Sequence, residues 1–336
     1  MRIISAAVFA LAAAAPPPAL LDVFTGGRDG YACYRIPALI TISNGSLLLF
    51  CEGRLHSCAD HGFVDLVVKA SHDGGASWGP LRVVRSESSP KQNVTIGNAA
   101  PVALPGNRIL LPFCRNNLEA GALYSPDGGA TWALRSALPV AASWTWIATG
   151  PPGSLQLPSG RIVVPANRID AQGDAGLAFL SDDEGATWQA STAVPGGNED
   201  QAALLSWVSN STLLLSLRSA AGKRRLAALS SDAGATWGAP WETIQETECE
   251  ASTLALPLHP AGPRLVMSSA FADSRVNLTL HVSADSGRSW APAVRVYAGS
   301  SAYSTLAPVP GSASAVRVAF ERDSYSKISF VASIDI

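Results

Sequence analysis

The sequence has little charge for its length. Asp, Glu, Lys and Arg make up only 15% of its 336 residues, and the formal net charge is −2. It contains no block of like charges and no polar low-complexity stretch. This balance gives no basic patch for a nucleic acid, so we expect no nucleic-acid partner. The 47% of hydrophobic residues is ample for a large buried core.

Long apolar runs are also scarce. The one candidate is at the N-terminus, where a basic residue precedes apolar residues 3–15, with small residues at Ala12 and Ala14. The run is too short for a comfortable membrane span and resembles a secretory signal peptide; a buried N-terminal helix is the alternative. We expect a signal peptide over residues 1–19, no stable membrane insertion, and a secretory route to the extracellular space or the lysosome.

The cysteines show no metal-binding spacing. No C-x-x-C pair and no Cys/His cluster occurs, so the sequence predicts no zinc site. Cys51 and Cys58 flank one loop, which makes them the first candidate for a disulfide. Ordinary buried thiols remain the alternative for all five cysteines, which are Cys33, Cys51, Cys58, Cys114 and Cys249.

Helical periodicity is nearly absent after the N-terminus. Short apolar runs such as Ala38 to Ile42 and Ser46 to Phe50 alternate with turn signals such as Asn44-Gly45. Many short strands separated by turns are typical of an all-β fold.

One octapeptide of the form S-x-D-x-G-x-x-W, which we call the box, recurs about every 50 residues. Its Asp can accept backbone N–H bonds across a tight turn, and its Gly can adopt a positive φ. We expect its Trp to bury a large ring against its own repeat unit. The five copies are Ser71 to Trp78, Ser125 to Trp132, Ser181 to Trp188, Ser230 to Trp237 and Ser283 to Trp290.

The repeat length predicts the architecture. Residues 20–336 hold about six units of this size, and four strands fit in each. The sequence therefore predicts one domain, a six-bladed β-propeller with four-stranded antiparallel blades. The unit without a box would combine the C-terminal strands with an N-terminal strand.

Outside the boxes, Tyr34-Arg35-Ile36-Pro37 precedes an apolar strand. Together with the boxes, this segment resembles the sialidase (neuraminidase) family, which carries an aromatic-Arg-Ile-Pro motif on the first blade of a six-bladed propeller. The resemblance spans essentially the whole chain after the predicted signal peptide. The boxes alone are less specific, because other secreted propellers share them.

The resemblance implies a substrate-binding group of arginines. Sialidases hold the substrate carboxylate with three of them, which Arg35, Arg218 and Arg275 match. A planar guanidinium fits a carboxylate through two parallel hydrogen bonds, so three of them favour an anionic sugar. Glu321 matches a late glutamate that orients the first arginine. Arg54 could contribute to the same pocket.

The resemblance also implies an acid/base aspartate. Asp60, in a polar loop, matches it and would protonate the leaving glycosidic oxygen and later deprotonate water. Asp65 is a competitor, but it begins an apolar strand, and we interpret it as structural. His56 and His61 flank the loop, and the sequence assigns neither a role.

Tyr303 matches the family's nucleophile, and Glu199 matches the glutamate that activates it. The anomeric carbon of sialic acid carries its own carboxylate, so an attacking Asp or Glu would meet like-charge repulsion. A phenol with a nearby base avoids much of it, and sialidases are an exception among retaining glycosidases in this respect. Trp144 and Trp146 could face the sugar or pack within a blade.

The sequence therefore predicts an exo-α-sialidase that acts on sialylated glycoconjugates with retention, as a monomer and without a metal or organic cofactor. One alternative is a trans-sialidase that passes sialic acid to another sugar. The others are an inactive sialic-acid-binding propeller and a propeller with an interaction role only. Four N-x-[ST] sequons are candidate glycosylation sites: Asn44, Asn93, Asn210 and Asn277.

Overall fold

The computed structural model describes residues 18–89, 91–220, 224–245 and 247–336, without the side chains of Glu199 and Asp200. The predicted signal peptide falls outside these residues up to position 17. Within them the protein is all-β, and the one helical element is a 3₁₀ turn at Pro105–Asn107. No helix in the described ranges is long and apolar enough to cross a membrane.

The strands form antiparallel sheets made from consecutive segments of chain. The chain begins with β1 (Leu21–Thr25), which joins the last sheet. The first sheet contains β2 (Cys33–Thr41), β3 (Leu47–Arg54), β4 (Val64–Ser71) and β5 (Arg82–Arg85). The second contains β6 (Ile96–Gly97), β7 (Val102–Leu104), β8 (Arg108–Arg115), β9 (Glu119–Ser125) and β10 (Ala133–Ala137).

Two further sheets follow the same pattern. The third contains β11 (Trp146–Thr149), β12 (Leu155–Gln156), β13 (Ile162–Asp170), β14 (Gly173–Ser181), β15 (Gln189–Ala190) and β16 (Val194–Pro195). The fourth contains β17 (Gly197–Leu204), β18 (Leu213–Ser219), β19 (Arg224–Ser230) and β20 (Trp241–Gln245). These four sheets are blades of a propeller-like arrangement.

The last sheet has seven strands, in the order β1-β26-β25-β24-β23-β22-β21. Its central strand β24 pairs with β23 up to Ser300 and with β25 from Ser301. Pairing of β1 with β26 confirms the expected union of an N-terminal strand with the C-terminal strands. The strands are β21 (Ser252–Leu256), β22 (Arg264–Ala270), β23 (Val276–Ser283), β24 (Ala291–Pro308), β25 (Ala315–Arg322), β26 (Lys327–Asp335) and β1.

The core lies between neighbouring sheets. One hydrophobic cluster joins Leu49 of the first sheet to Phe330 of the last, and another joins Leu110 of the second to Phe179 of the third. Successive side chains of a strand therefore point to opposite faces and pack against the two sheets that flank their own. Polar side chains can be placed at the strand ends, outside this core.

Each box forms a turn that begins at the last residue of a strand, namely β4, β9, β14, β19 or β23. In the first copy, Asp73 accepts hydrogen bonds from the Ser77 backbone N–H (3.0 Å), the Ser77 hydroxyl (2.5 Å) and the Ser71 hydroxyl (2.7 Å). The same bonds recur in the other four copies. The predicted turn-forming role of the Asp is confirmed, and the first Ser also takes part.

The expectation that each box Trp packs within its own unit covers only part of the contacts: Trp78 and Trp188 pack against clusters that include residues of their own sheets, and they also reach the neighbouring sheet. The Trp78 ring lies 5.3 Å from Phe330 of the last sheet, and Trp188 donates a hydrogen bond to Ser136 of the second sheet. Gly75 has a φ of 98°, and a Cβ there would lie 2.1 Å from the Phe330 ring. The boxes therefore join adjacent sheets, which the linear repeat could not reveal.

We expect the boxes to make the fold sensitive to acid. Hydrogen bonds from Thr131 and Thr187 lower the pKa of Asp127 and Asp183 from 3.8 to about 2. Because the folded-state pKa is lowered, this stabilisation is present above the unfolded-state value and is lost as the pH falls from about 4 to about 2. Urea unfolding across that pH range measures the loss of stability.

Asp73→Ala should lower stability and weaken this pH dependence while activity per folded molecule stays unchanged. A stable but inactive Asp73→Ala variant would contradict the structural role.

Candidate active site

Arg35, near the start of β2, and Glu321, near the end of β25, form a buried ion pair. Arg35 donates from Nε to Glu321 Oε1 (3.0 Å) and from Nη2 to Oε2 (3.1 Å). Glu321 also accepts hydrogen bonds from the backbone N–H groups of Ile36 and Tyr303. Burial alone would lower the pKa of Arg35, but the Glu321 charge outweighs it and the pKa is raised. One carboxylate thus fixes the arginine and the backbone of two strands.

The Nη1 of Arg35 reaches the loop between β3 and β4. Asp60 Oδ1 accepts from this atom (3.0 Å) and from Arg54 Nη1 (2.8 Å). The Asp60 side chain is 67% exposed, whereas the two arginines are buried. Partial burial raises the pKa of Asp60, but the hydrogen bonds and charges of Arg54 and Arg35 outweigh it, so the pKa is lowered. The ionised form of Asp60 is therefore favoured while it accepts hydrogen bonds from the two guanidinium groups.

Arg54 is held by Glu52, a residue to which the sequence analysis assigned no role. Glu52 Oε2 accepts from Arg54 Nε (3.0 Å) and Nη2 (2.6 Å), and Oε1 accepts from the Asn98 backbone N–H (2.9 Å). A Cβ at Gly97 would lie 2.1 Å from Glu52 Oε1, so only glycine leaves room for this carboxylate. Glu52 and Arg54 point to the same face because they are two positions apart on β3. The spacing of two residues on a strand was therefore the sequence signal that could have identified Glu52 as a partner of Arg54.

Tyr303 lies between two arginines. The guanidinium carbons of Arg35 and Arg275 lie 5.1 Å and 5.5 Å from the centre of its ring. The tyrosine is 6% exposed and packs in a cluster with Cys249 and Ala302. The ring therefore lies beside two positively charged groups.

Tyr325 is a site residue that sequence reasoning missed. The Arg35 guanidinium carbon lies 4.3 Å from the centre of its ring, and its hydroxyl accepts a hydrogen bond from Arg275 Nη1 (3.1 Å). Tyr325 adopts a φ of 68° at the end of the turn between β25 and β26. A left-handed conformation in a bulky residue is strained, and here it places one ring against two arginines.

The two remaining predicted residues lie on neighbouring strands of the fourth sheet. Arg218 on β18 is opposite Asn198 on β17, and the register shifts between Asn198 and Asp200. Glu199 is therefore the bulged residue next to this pair, and its side chain lies outside the described residues. Bulges of this kind redirect a side chain near functional sites.

The four arginines, Asp60 and Tyr303 line one open cavity of about 220 Å³. Three sheets contribute arginines to it. Glu321 is fully buried and holds one of these arginines, Arg35, through two hydrogen bonds. A larger cavity, of about 480 Å³, lies on the box side next to His72 and Asp127, and Arg82 is the one arginine among its described lining residues. The smaller cavity is lined by Arg35, Ile36, Glu52, Arg54, Asp60, Asn98, Asn117, Trp146, Arg218, Arg275 and Tyr303.

The structure separates the two tryptophans that the sequence left open. Trp146 lines the cavity, with its ring 5.8 Å from His61, whereas Trp144 packs 6.4 Å from Phe179 in the core. Asp65 accepts a hydrogen bond from the Tyr31 hydroxyl at 2.8 Å, in agreement with the structural role expected of it.

The expected Cys51–Cys58 disulfide is wrong, because Cys58 is bonded to Cys33. Cys51 lies inside β3 and is buried in a hydrophobic cluster with Leu49 and Phe330. Cys33 begins β2 at the same end of the sheet as the Asp60 loop, opposite Arg54 on β3. Strand pairing therefore brings Cys33 close to Cys58, although the two are 25 positions apart in sequence.

The repeats and the propeller-like fold place the chain in a class of bladed repeat proteins. The profile of the BNR repeat-like domain family matches residues 45–317. The chain belongs to that family, and the curated relatives that it matches are sialidases, which supports its assignment to the sialidase family.

A sialidase of Micromonospora viridifaciens is 29% identical over 326 residues, which cover 86% of this chain and 50% of that protein. The chain spans about half the length of this curated relative. The structure of the Hadza microbial sialidase Hz136 has a TM-score of 0.85 and 24% identity, covering 94% of this chain and 68% of that one. A second similar structure is titled Trypanosoma rangeli sialidase in complex with 2,3-difluorosialic acid (covalent intermediate). It has a TM-score of 0.75 and 18% identity, and the match covers 95% of this chain and 60% of that one.

Proposed function

We propose that the protein is a retaining exo-α-sialidase that hydrolyses terminal α-linked sialic acid from glycoconjugates. The observation that carries this proposal is the meeting of Arg35, Arg218 and Arg275 with Asp60 and Tyr303 around one cavity. The similarity to the sialidase of Micromonospora viridifaciens supports the same activity.

The arginines would bind the carboxylate of the sugar. Glu321 occupies Nε and Nη2 of Arg35, so the edge of Arg35 that includes Nη1 faces the ligand. Arg275 is oriented by Tyr325 and by the Glu248 carbonyl oxygen (3.1 Å). Guanidinium groups held before the ligand arrives lose little entropy on binding, which raises affinity.

Asp60 would protonate the leaving oxygen, yet the two arginines hold it ionised in the free site. The incoming carboxylate adds negative charge and competes for Arg35 Nη1, and both effects raise the pKa of Asp60. Substrate binding would thus convert Asp60 from an ion-pair partner into a proton donor.

Tyr303 would attack the anomeric carbon while Glu199 accepts its phenolic proton. The cations of Arg35 and Arg275 stabilise the phenolate that develops. Asp60 would then deprotonate the water that releases the sugar from Tyr303, with overall retention. In this scheme the chain's own side chains provide the acid, the base and the nucleophile, so no metal or organic cofactor is needed.

The finer architecture that we propose is a six-bladed propeller with four-stranded blades. The change of partner within β24, at residues 300–301, divides the seven-stranded sheet into two four-stranded units. Together with the four preceding sheets these make six blades, in a single catalytic domain over residues 20–336.

We also propose a secreted or lysosomal glycoprotein that acts as a monomer. Of the four sequons, Asn44, Asn93 and Asn210 are exposed. Asn277 is half-buried, and its side-chain amide donates to the Phe271 carbonyl oxygen at 3.1 Å. Glycans are therefore expected on the first three.

Turnover of a fluorogenic α-sialoside by the purified protein tests the function. Release of the fluorophore and of α-sialic acid as the first anomer seen by NMR is the expected result. Added lactose distinguishes hydrolysis from transfer, because a trans-sialidase would produce sialyllactose. Binding of sialic acid without release would refute the enzyme and favour the inactive binding propeller.

The proton-donor role of Asp60 predicts a difference between two pH profiles. The alkaline limb of kcat/KM reports the free enzyme, and that of kcat reports the substrate complex. Because substrate raises the pKa of Asp60, the limb of kcat should lie at higher pH than that of kcat/KM. Asp60→Asn is the control and should abolish both limbs. Coincident limbs in the wild type would contradict the proposed change in Asp60.

A further inference from the structure

The Cys33–Cys58 disulfide connects the two elements that carry the ion pair above the cavity. Cys33 lies two positions before Arg35 on β2, and Cys58 lies two positions before Asp60 in the loop. The Cα atoms of the two cysteines are 5.2 Å apart. The disulfide and the Arg35–Asp60 contact of 3.0 Å therefore join the same two elements.

The loop has few other attachments. Residues 55–63 form no regular secondary structure, and residues 55–61 are exposed. One end is held by Leu55 N–H to the Phe63 carbonyl oxygen (3.0 Å), and Gly62 exchanges hydrogen bonds with Thr95 Oγ1 through its N–H (3.0 Å) and its carbonyl oxygen (3.3 Å). In the middle, Arg54 Nη1 donates to the Cys58 carbonyl oxygen (2.6 Å), and the His61 ring lies 5.8 Å from Trp146. Without the disulfide, the 67% exposed side chain of Asp60 would be held mainly by its contacts with Arg35 and Arg54, and nothing covalent would limit the movement of the loop that carries it.

In the folded protein the effect of the bond falls on this loop. Cys33 is paired with Arg54 in the β2–β3 ladder, so the strands are already fixed to each other. The disulfide then closes only the short ring from Arg54 to Cys58. Restricting such a short exposed segment restricts Asp60 directly.

We propose that Cys33 and Cys58 are positioning residues for catalysis, because their disulfide holds Asp60 where it can protonate the leaving group. The inference rests on the proposed sialidase function. A displacement of about 1 Å in such a group costs about 100-fold in rate. The arginines that bind the carboxylate do not depend on the loop, so KM should change little.

The choice of leaving group separates this role from general stabilisation. A nitrophenol leaves readily without protonation, whereas the sugar hydroxyl of sialyllactose requires a general acid. The comparison uses kcat/KM, which covers the steps up to departure of the leaving group and excludes the later hydrolysis that both substrates share. Loss of the disulfide should therefore lower kcat/KM about 10- to 100-fold for sialyllactose and only a few-fold for 4-nitrophenyl α-sialoside.

The experiment compares the wild type, Cys33→Ala/Cys58→Ala and Cys51→Ala on both substrates, before and after dithiothreitol. The reagent converts the disulfide into two thiols and becomes its own cyclic disulfide. Cys51→Ala is the matched control, since it removes a buried thiol whose side chain faces the core. Reduced wild type should match the double variant, and Cys51→Ala should retain wild-type selectivity before reduction.

Two outcomes would overturn the proposal: equal losses on the two substrates, or full activity towards sialyllactose once mass spectrometry shows the bond to be reduced. Failure of the proposed function is distinguishable from both. In that case the oxidised wild type would release sialic acid from neither substrate.

Discussion

Replacement of Tyr303 by phenylalanine is expected to lower kcat about a thousandfold or more, since the variant keeps the ring and loses only the attacking oxygen. The ring packs against Ala302 and lies between the guanidinium groups of Arg35 and Arg275. A phenylalanine preserves these contacts, so the cavity should stay intact. Affinity for free sialic acid, measured by calorimetry, should therefore remain within a few-fold of the wild type.

A fluorinated sialic acid distinguishes loss of the nucleophile from other damage. Fluorine beside the anomeric carbon slows hydrolysis of a glycosyl-enzyme intermediate, so the wild type should gain the mass of one sugar, on the Tyr303 peptide. Tyr303→Phe should gain none. Tyr124→Phe, on the second sheet, is the matched control and should be labelled like the wild type. Normal turnover or labelling of Tyr303→Phe would remove Tyr303 from the role of nucleophile.

The strand pattern and the box turns could be predicted because they depend on local chemistry. The hydrogen bonds of Asp73 all lie within the octapeptide, and the same residue types recur in every copy. The contact of Trp78 with Phe330 could not be predicted in the same way. It depends on which sheet lies next to which, and the repeat alone does not contain that information.

In the candidate site, too, some residues could be predicted from the sequence and others depend on how the strands pair and pack. The resemblance named the residues that would touch the substrate and, in Glu321, one that holds Arg35, but it did not name the other supporting residues. Glu52 fixes Arg54 through strand register, and Tyr325 contacts Arg35 and Arg275 from a strained turn. Cys58 bonds to Cys33 because β2 and β3 pair, which outweighs the nearness of Cys51 in sequence.

Replacement of Arg35 by glutamine should reduce the affinity for sialic acid about 100-fold or more, because a buried charge-assisted contact is lost. It should also cost about 3–5 kcal/mol of folding stability, since it leaves Glu321 as an uncompensated buried charge. The Glu321 side chain is fully buried and takes its two strong ionic bonds from Arg35. Calorimetry measures the first effect, and urea unfolding measures the second.

The double variant Arg35→Gln/Glu321→Gln separates the two effects. A neutral glutamine at position 321 can still accept a hydrogen bond from the backbone N–H of Ile36 or Tyr303, so much of the lost stability should return. The affinity should not return, because no cation replaces Arg35 opposite the ligand carboxylate. A double variant that regains affinity would show that Arg35 supports the fold alone and that Arg218 and Arg275 suffice for the carboxylate. Recovery of stability without affinity would place Arg35 in both roles, with Glu321 as the group that connects them.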